Sequence, residues 1–314
     1  NGAKIIKQVG RYYELQTLNN SFSLTLQKPR IGSYNLSCGP EGTFIVTKEN
    51  KLIQVQNSPI IFENEIIKKE YEKIENIKCI PIIPEPRKFN FKNEFVELID
   101  CKIKIENKEL KILNVLKAYT NSLNINFNLN QGIPIIFLSS DFESEEYKIE
   151  IGFKEIKIYH SNYAGKFYAL ITLIQLINYY QNKLPLCTIE DSPSLEWRGM
   201  HLDCARQYYS LEEIKRLFDY MALFKLNRFH WHLTDNEAWR IKLDCYPHLT
   251  NVGSFRGYDQ LIPPFYGSGY KKYGGYYDRD DVVELIRYGK KLNIEIMPEI
   301  DLPAHSWTLL QVMP

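Results

Sequence analysis

The sequence predicts an α/β protein in which strand–helix–strand units follow a small α+β domain. Residues 193–314 alternate between apolar, strand-like runs and helices, which is typical of parallel strands joined by crossover helices. Residues 79–192 instead combine strands of period two with one long apolar helix. At about 150 residues per domain, a chain of 314 residues accommodates these two domains.

The composition is that of a soluble globular protein, with 44% hydrophobic and 25% charged residues. It excludes a disordered chain, a collagen-like fibre and a disulfide-dense mini-protein. With 39 basic and 38 acidic side chains the net charge is +1, so no overall field attracts nucleic acid or anionic lipid. No segment approaches the roughly 18–20 apolar residues of a membrane span, and the six cysteines form no CxxC pair. We therefore expect no nucleic-acid partner, no membrane span and no zinc knuckle.

Residues 1–78 are expected to be β-rich, because short apolar runs such as Phe22–Leu26 and Leu52–Val55 are separated by Gly, Pro and Asn clusters. Lys68–Lys78 is charged and is interpreted as a short helix or a linker. No residue of this segment points to chemistry, so its role stays unknown. Residues 1–10 lack the apolar core of a signal peptide and begin with Asn, so we interpret the chain as processed or as cut from a longer one.

Residues 79–192 carry the α+β pattern. Apolar residues alternate over Tyr147–Ile151 and again over Ile156–Ile158, which predicts paired, half-buried strands. Gly165 is expected to open an apolar helix, and Leu184-Pro185 is expected to end it. Strands packed under such a helix form a small domain, which we predict to be an antiparallel sheet with a helix.

Residues 193–314 carry the parallel pattern. Ser210 and Glu213 form a capping box at the start of the first predicted crossover helix. Asp278 or Asp280 is expected to cap the second. The three predicted strands are Arg198–Cys204, Asn227–Leu233 and Ile294–Ile300.

Polar side chains gather where each of these strands should end. Parallel sheets and barrels place their active sites at the carboxyl ends of their strands. Residues two positions apart, such as Glu299 and Asp301, point to the same face of a strand. Two carboxylates at such a short distance repel each other, so the pKa of one of them rises or a cation lies nearby. Arg206 is an always-charged donor that can hold vicinal hydroxyls or a carboxylate in a fork. The three clusters are Asp203 with Arg206, His230 with His232 and Asp235, and Glu299 with Asp301 and His305.

Each cluster alone is structural at least as often as it is functional. An arginine after a strand usually forms a salt bridge, a histidine pair often ties loops together, and ion-pair networks mimic the signature of functional sites. Convergence of three clusters on one end of one sheet favours a functional site.

Three segments resemble the first three barrel strands of glycoside hydrolase family 20, the β-N-acetylhexosaminidases. They are Trp197–Arg206 (WRGMHLDCAR), Lys225–Asp235 (KLNRFHWHLTD) and Met297–Ser306 (MPEIDLPAHS). Upstream, Gly165–Tyr168 with the nearby Thr-Leu and Gln-Leu pairs is similar to the last helix of the α+β domain that precedes the barrel in this family. The resemblance covers residues 80–314 and implies the start of a (β/α)8 TIM barrel behind a small α+β domain.

The resemblance implies that Arg206 binds the outer hydroxyls of a terminal N-acetylhexosamine and that Asp235 lies in the sugar site with His232. Hydrolysis in this family retains configuration and has no enzyme nucleophile, because the acetamido oxygen of the substrate attacks C1. An Asp orients that acetamido group, and a neighbouring Glu protonates the leaving oxygen and later activates water.

The resemblance also implies that Asp301 and His305 form a hydrogen-bonded chain towards the general acid, with Glu299 in the same network. Two positions depart from the family pattern. Asn236 stands where many members have a second Asp, and Ala304 stands where Gly is usual. Both departures are mild.

In this family the catalytic Asp-Glu pair follows the fourth strand, which we expect beyond Pro314. A barrel takes roughly 250 residues, or about 31 per unit, whereas only 118 residues run from Trp197 to Pro314. We therefore expect a fragment that carries three βα units, is inactive alone and is cut by protease near residue 195. Substitution of Arg206 is expected to change the stability little.

Two other functions stay open. His230 and His232 with Asp235, Asp301 and His305 could chelate a divalent ion in a metal-dependent hydrolase. The second alternative is a homologue that binds sugar without catalysing a reaction. The glycosidase interpretation needs no cofactor and no metal, and its partners are glycans or oligosaccharides that end in N-acetylhexosamine. Such substrates are mostly extracytoplasmic or lysosomal, which favours a secreted, periplasmic or lysosomal location, whereas the aglycone, the gluco or galacto preference and the oligomeric state are not indicated.

Overall fold

The computed structural model describes residues 3–9, 12–18, 44–47, 49, 51–54, 81–98, 102–106, 109–123, 125–181, 183–264, 268 and 271–313. The chain divides into two compact units, Asn1–Ile66 with Pro264–Lys271, and Ile67–Pro263 with Lys272–Pro314.

In the first unit the described elements are strands in two antiparallel pairs. They are β1 (Ala3–Val9) with β2 (Tyr12–Thr17), and β3 (Phe44–Val46) with β4 (Leu52–Gln54). The predicted apolar run Phe22–Leu26 lies outside the described residues, as does the charged stretch Lys68–Lys78 of the second unit.

The second unit begins with a seven-stranded sheet and two helices. The strands are β5 (Lys88–Glu97), β6 (Lys102–Lys104), β7 (Asn126–Asn128), β8 (Ile133–Ser139), β9 (Tyr147–Ile151), β10 (Ile156–His160) and β11 (Lys183–Asp191). The helices are α1 (Leu110–Ser122) and α2 (Tyr163–Tyr180). The strand order is β5-β11-β9-β10-β8-β6-β7.

This sheet is mixed rather than antiparallel. β9 runs antiparallel to β10 and β11, which confirms the pair of strands predicted from the alternation. In the other half of the sheet, however, β10 runs parallel to β8, and β6 runs parallel to both β7 and β8. The helix α1, which the sequence analysis did not identify, connects β6 to β7 as a crossover and so leaves these two strands parallel.

The helix α2 starts two residues earlier than predicted. Asn162 caps it by accepting a hydrogen bond from the Gly165 N–H at 3.0 Å. Gly165 is required, because a Cβ at this position would lie 2.4 Å from the Glu146 carbonyl oxygen. The helix ends before Gln181, whose φ is 61°, whereas Leu184-Pro185, predicted to end it, lies in β11. Among the described residues, no helix is both long and apolar enough to cross a membrane.

The rest of the second unit is built on three parallel strands, as predicted. The sheet order is β12-β13-β18, and both pairs are parallel. Ser210 and Glu213 form the predicted capping box on α3, and Asp278, not Asp280, caps α5. The elements are β12 (Gly199–Asp203), α3 (Leu211–Leu223), β13 (Arg228–His232), β14 (Thr234–Asp235), β15 (Ala238–Trp239), α4 (Pro247–Asn251), β16 (Phe255–Arg256), β17 (Tyr273–Gly274), α5 (Arg279–Lys291), β18 (Glu295–Glu299) and α6 (Trp307–Val312).

The two faces of the parallel sheet differ in chemistry. One face is apolar: Phe229 and Trp231 are buried, and Phe218 of α3 packs on Phe229 with ring centroids 4.8 Å apart. Because side chains alternate along a strand, the opposite face carries the polar residues. Burial of the apolar face fixes the strand register and therefore the direction of the polar side chains. The polar face is formed by His201, Asp203, His230, His232 and Glu299.

Glu145, in the turn between β8 and β9, ties the small domain to the parallel sheet. Its carboxylate accepts hydrogen bonds from Arg198 at 2.6 Å, Asn227 at 3.1 Å and Asn293 at 3.0 Å. Each of these residues lies one or two positions before a strand of the parallel sheet. One side chain of the small domain therefore holds the amino-terminal ends of all three strands.

Candidate functional site

The carboxyl ends of the three parallel strands carry polar side chains in matching register. Asp203 of β12 lies opposite His232 of β13, which lies opposite Glu299 of β18. His201 and His230 form a second row, two residues earlier on their strands. The structure thus brings the three predicted clusters together at one end of one sheet.

Arg206 lies in the turn after β12, surrounded by three carboxylates. Its Nη1 is 2.7 Å from Asp203 Oδ2, its Nη2 is 2.6 Å from Asp235 Oδ2, and its Nε is 3.0 Å from Glu237 Oε2. The Asp203 side chain also accepts hydrogen bonds from the backbone N–H groups of Ala205 and Arg206, which fixes the turn. Charge-assisted contacts on all three nitrogens hold the guanidinium in one orientation.

Arg240 supports the same turn from inside the protein. It is completely buried and donates to the carbonyl oxygens of Cys204, Ala205, Ser254 and Gly275. Burial lowers its pKa to about 10, so it stays protonated at neutral pH. Arg240 thereby joins the backbone beside Arg206 to Ser254 and Gly275, in the segment between α4 and α5.

Asp235 is the most deeply buried acid of the site, with 1% of its side chain exposed. Its Oδ2 is 3.0 Å from His232 Nε2, its Oδ1 is 3.0 Å from His305 Nδ1, and the Asn236 N–H donates to Oδ1 at 2.6 Å. Burial by itself would raise the pKa of Asp235. The hydrogen bonds from Asn236, His305 and His232 and the charge of Arg206 outweigh burial, so the pKa of Asp235 lies below its usual value.

His232 links Asp235 to Glu299. Its Nδ1 is 2.9 Å from Glu299 Oε2, although the two atoms are not aligned for a hydrogen bond. His230 Nε2 and His201 Nε2 approach the same oxygen at 2.7 Å and 3.5 Å. Burial works against the charged forms, but the adjacent carboxylates raise the pKa of His232, and the adjacent imidazoles lower the pKa of Glu299. His232 and Glu299 therefore favour the ionised pair.

The predicted hydrogen-bonded chain through His305 takes a different partner. His305 Nδ1 contacts Asp235, while the Asp301 backbone donates its N–H to Thr234 Oγ1 at 3.1 Å. The Asp301 carboxylate lies in the same group, within 4.8 Å of ligand atoms of His232 and Asp235. In this turn the residue with a left-handed backbone is His305, whose φ is 52°. Ala304 has no positive φ, so its methyl group does not strain the backbone.

Three residues of the cluster were not identified from the sequence: His201, Glu237 and Arg240. His201 could have been predicted from the sequence, because it lies two positions before Asp203 and therefore on the same face of the strand. Glu237 lies in a turn, where charged side chains are normally solvated, and a lone arginine after a short apolar run gives no sign that it is buried. For these two residues the sequence carried no usable signal.

Two groups among the described residues have donors that could hold a divalent ion. They are His201 with His232 and Glu299, and His232 with Asp235 and Asp301. Two imidazoles and one carboxylate match the ligands that zinc uses in hydrolytic sites. Both groups share His232, whose two ring nitrogens already lie 2.9 Å and 3.0 Å from the Glu299 and Asp235 carboxylates.

The arrangement is suited to bind a neutral, hydroxyl-rich ligand. Its guanidinium N–H groups can donate to the oxygen of a hydroxyl group, and its carboxylates can accept a hydrogen bond from the hydroxyl O–H. The buried acid, the imidazoles and the guanidinium are held by one another, so the site is organised without a ligand.

Two family models match the chain. The glycosyl hydrolase family 20 catalytic domain matches residues 195–314, and domain 2 of the same family matches residues 79–192. The chain is similar to a beta-hexosaminidase of Vibrio furnissii, with 39% identity over 54% of this chain and 28% of that protein. It is also similar to a beta-hexosaminidase of Porphyromonas gingivalis, with 32% identity over 78% of this chain and 33% of that protein.

Among solved structures, the chain is similar to the exo beta-N-acetylglucosaminidase of Vibrio harveyi in complex with N-acetylglucosamine. The TM-score is 0.72 at 30% identity, over 86% of this chain and 44% of that one. The chain spans less than half the length of the relatives that it matches.

Proposed function

Because the chain belongs to glycosyl hydrolase family 20, we propose that it is part of a β-N-acetylhexosaminidase. The enzyme removes terminal, non-reducing N-acetylhexosamine residues from glycans or oligosaccharides by a retaining, substrate-assisted mechanism. The observation that carries the proposal is the group of Arg206, Asp235, His232 and His305 at the carboxyl ends of parallel strands.

The proposal extends to the fold. The three parallel strands with their crossover helices are the first three βα units of a (β/α)8 barrel. Their apolar face packs against α3, whereas His201 and His230 on their polar face are 49% and 46% exposed, which fits the outer and inner surfaces of a barrel. The family matches and the likeness to the Vibrio harveyi enzyme support this reading.

In the proposed reaction, Arg206 donates hydrogen bonds to the outer hydroxyls of the sugar. The buried Asp235 accepts from a further hydroxyl or from His305, and the His232–Glu299 pair keeps Asp235 in place. The acetamido oxygen of the substrate attacks C1 while a carboxylic acid protonates the departing oxygen. The resulting cyclic intermediate is opened by water, which gives its proton to the same carboxylate and restores the configuration.

The groups assigned here bind and orient the sugar; the general acid and the acetamido-orienting Asp are not among them. We propose that the activity belongs to a longer protein in which further strands supply those two groups. The share of each relative that the chain covers supports this view. Residues 1–314 alone are then expected to be inactive.

The test is hydrolysis by the longer protein of p-nitrophenyl N-acetyl-β-glucosaminide and of the plain β-glucoside. We expect the acetamido substrate to react at least about a hundredfold faster, because only it carries the internal nucleophile. Equal rates would contradict the mechanism, and tight binding of the sugar without turnover would favour the sugar-binding homologue. A chelator is added in parallel, since loss of activity would favour the metal-dependent alternative.

A further inference from the structure

Three imidazole nitrogens surround one carboxylate oxygen, Glu299 Oε2, near the carboxyl ends of the parallel strands. His230 Nε2, His232 Nδ1 and His201 Nε2 lie 2.7 Å, 2.9 Å and 3.5 Å from this oxygen. A carboxylate oxygen readily accepts hydrogen bonds. This one is buried and nevertheless has no hydrogen-bond partner among the described residues, although three nitrogens are close to it.

His232 Nδ1 is also left without a hydrogen bond among the residues that the structure describes. The His232 side chain is 4% exposed, so water does not replace the missing partner. At 2.9 Å from the Glu299 oxygen the distance is suitable for a hydrogen bond, but Nδ1 points beside that oxygen rather than at it. A buried polar atom that lacks a partner calls for a physical explanation.

The ligands of a metal ion have this geometry, because their atoms point at the ion and not at each other. Zinc binds nitrogen and oxygen at about 2.0–2.2 Å, so two ligand atoms of a tetrahedral site lie about 3.3 Å apart. The distances from Glu299 Oε2 to His201 Nε2 and His232 Nδ1, 3.5 Å and 2.9 Å, lie on either side of this spacing. The ligand atoms of these three side chains all lie within 4.8 Å of one another.

His232 also has the support that a metal-binding imidazole usually has. Such an imidazole donates its other ring N–H to a carboxylate or a carbonyl group, which fixes the orientation of the ring. The shortest contact of His232 Nε2 is with Asp235 Oδ2 at 3.0 Å, since Arg206 Nη1 is 3.3 Å away. A cation on Nδ1 displaces any proton from that nitrogen and leaves the ring proton on Nε2, where Asp235 accepts it.

The second group of potential ligands, His232 with Asp235 and Asp301, is less suited to a cation. Arg206 Nη2 already lies 2.6 Å from Asp235 Oδ2, so a second positive charge would be repelled there. Glu299, in contrast, has only imidazoles as ion-pair partners among the described residues. A neutral imidazole is a good ligand of zinc.

We propose that His201, His232 and Glu299 form a zinc site that takes one ligand from each of the three parallel strands. The ion crosslinks β12, β13 and β18 near their carboxyl ends and stabilises the polar face of the sheet. Three protein ligands leave the fourth tetrahedral position to water or to the adjacent His230. Two imidazoles favour zinc over magnesium, which prefers oxygen ligands. The ion takes no part in the proposed reaction.

The experiment uses the longer protein without an affinity tag, freed of metal by a chelator, and measures zinc binding by isothermal titration calorimetry. We expect the wild type to bind zinc with a Kd of about 1 µM or tighter. His201→Gln and Glu299→Gln each remove one ligand. Each should weaken binding at least about tenfold, since loss of even a hydrogen-bond partner of a ligand costs about 10- to 100-fold. Magnesium in large excess should not displace the zinc.

The stability provides a second measurement. Zinc that binds only the folded protein should shift the unfolding equilibrium about a hundredfold towards the folded state when free zinc is about a hundred times Kd. Urea denaturation with and without zinc measures this shift, which should be lost in Glu299→Gln at the same zinc concentration. His248→Gln is the matched control: this exposed histidine lies in α4, outside the group, so the variant should keep the wild-type affinity and shift.

Equal zinc affinity in the wild type and both ligand variants overturns the inference, because the zinc would then bind elsewhere. A wild type that does not bind zinc, or that binds magnesium equally well, overturns it too. Glu299→Gln carries the test if His201→Gln does not fold. Binding is measured without turnover, so the inference and the proposed function can fail independently of each other.

Discussion

Arg206 neutralises two carboxylates that lie almost entirely out of water. Asp235 and Glu237 are 1% and 9% exposed, and both contact the guanidinium. The sequence alone suggested a strand-end arginine with few packing contacts, whose loss would leave the stability unchanged. The contacts lead to the opposite expectation, because removal of one partner leaves buried charge uncompensated.

We therefore expect Arg206→Ala to lower the free energy of unfolding by about 2–3 kcal/mol at neutral pH. In the longer protein it should also lower kcat/KM by roughly ten- to a few hundredfold. Arg206→Lys keeps the charge without the fork, so it should recover most of the stability and little of the activity. Urea unfolding and steady-state kinetics measure both quantities. Wild-type stability in Arg206→Ala would show that the three contacts are weak.

His232 should give the stability a dependence on pH. Its pKa is raised in the folded state by Glu299 and Asp235, despite burial, so its contribution is complete below the ordinary histidine value of about 6.5 and is lost as the pH rises through the folded-state pKa. The pKa values of Asp235 and Glu299 are lowered, so their contributions hold above about pH 4.5 and are lost as the pH falls through the folded-state values.

The difference in unfolding free energy between wild type and His232→Gln should thus be larger near about pH 5.5 than near about pH 8.5. Urea denaturation at the two pH values measures it. Exposed His248, in α4 and outside the network, provides the control variant His248→Gln, for which we expect no such difference. A pH-independent difference for His232→Gln would mean that its charge does not contribute.

At the scale of elements, the alignment of the three parallel strands depends on Glu145. Its carboxylate is 13% exposed and receives hydrogen bonds from the starts of all three strands. Glu145→Ala should lower the free energy of unfolding by about 2–3 kcal/mol, since it breaks a mostly buried ion pair and leaves polar groups unpaired.

Glu155→Ala is the matched control for this change. Glu155 pairs with Lys157 at 3.0 Å, but both side chains are more than a third exposed, so the loss should be below about 0.5 kcal/mol. Chemical denaturation of the two variants at one pH decides the matter. Equal losses would contradict the assigned role of Glu145.

Strands and caps were predictable where the pattern is local. The alternation at Tyr147–Ile151 and the capping box at Ser210 depend only on neighbouring residues, and both are present. The crossover helix α1 and the mixed sheet were not predicted. The direction of a strand depends on its pairing with strands that are distant in the sequence, and a local pattern does not show that pairing. In the site, Arg206 and Asp235 were found from their positions at strand ends, but Glu237 was not, since its burial depends on where Arg206 lies in three dimensions.

At the scale of the whole molecule, the small domain and the parallel sheet share one hydrophobic core. Tyr119 of α1 donates to the Asp219 carbonyl at 2.7 Å, and Tyr163 of α2 donates to the Lys291 carbonyl at 2.7 Å. These contacts alter the expectation of a protease cut near residue 195 that separates a stable half from an unstable one.

The connection between the two parts does include exposed residues, among them Leu195 and Trp197. We expect limited proteolysis to nick the chain there, because exposed loop segments are the preferred sites of cleavage. The two fragments should nevertheless elute together in native size-exclusion chromatography and separate only in denaturant. Separate elution without denaturant would mean that the shared core contributes little.

The central claim is that Arg206 and Asp235, at the carboxyl ends of parallel strands, hold the non-reducing sugar. The most direct measurement is a crystal structure of the longer protein with a thiazoline that mimics the cyclised intermediate, a type of ligand that binds more tightly than substrate if the mechanism is substrate-assisted. We predict ring hydroxyls about 3 Å from the Nη groups of Arg206 and from an Asp235 oxygen. A ligand bound elsewhere, with Arg206 still held only by its three carboxylates, would contradict the claim.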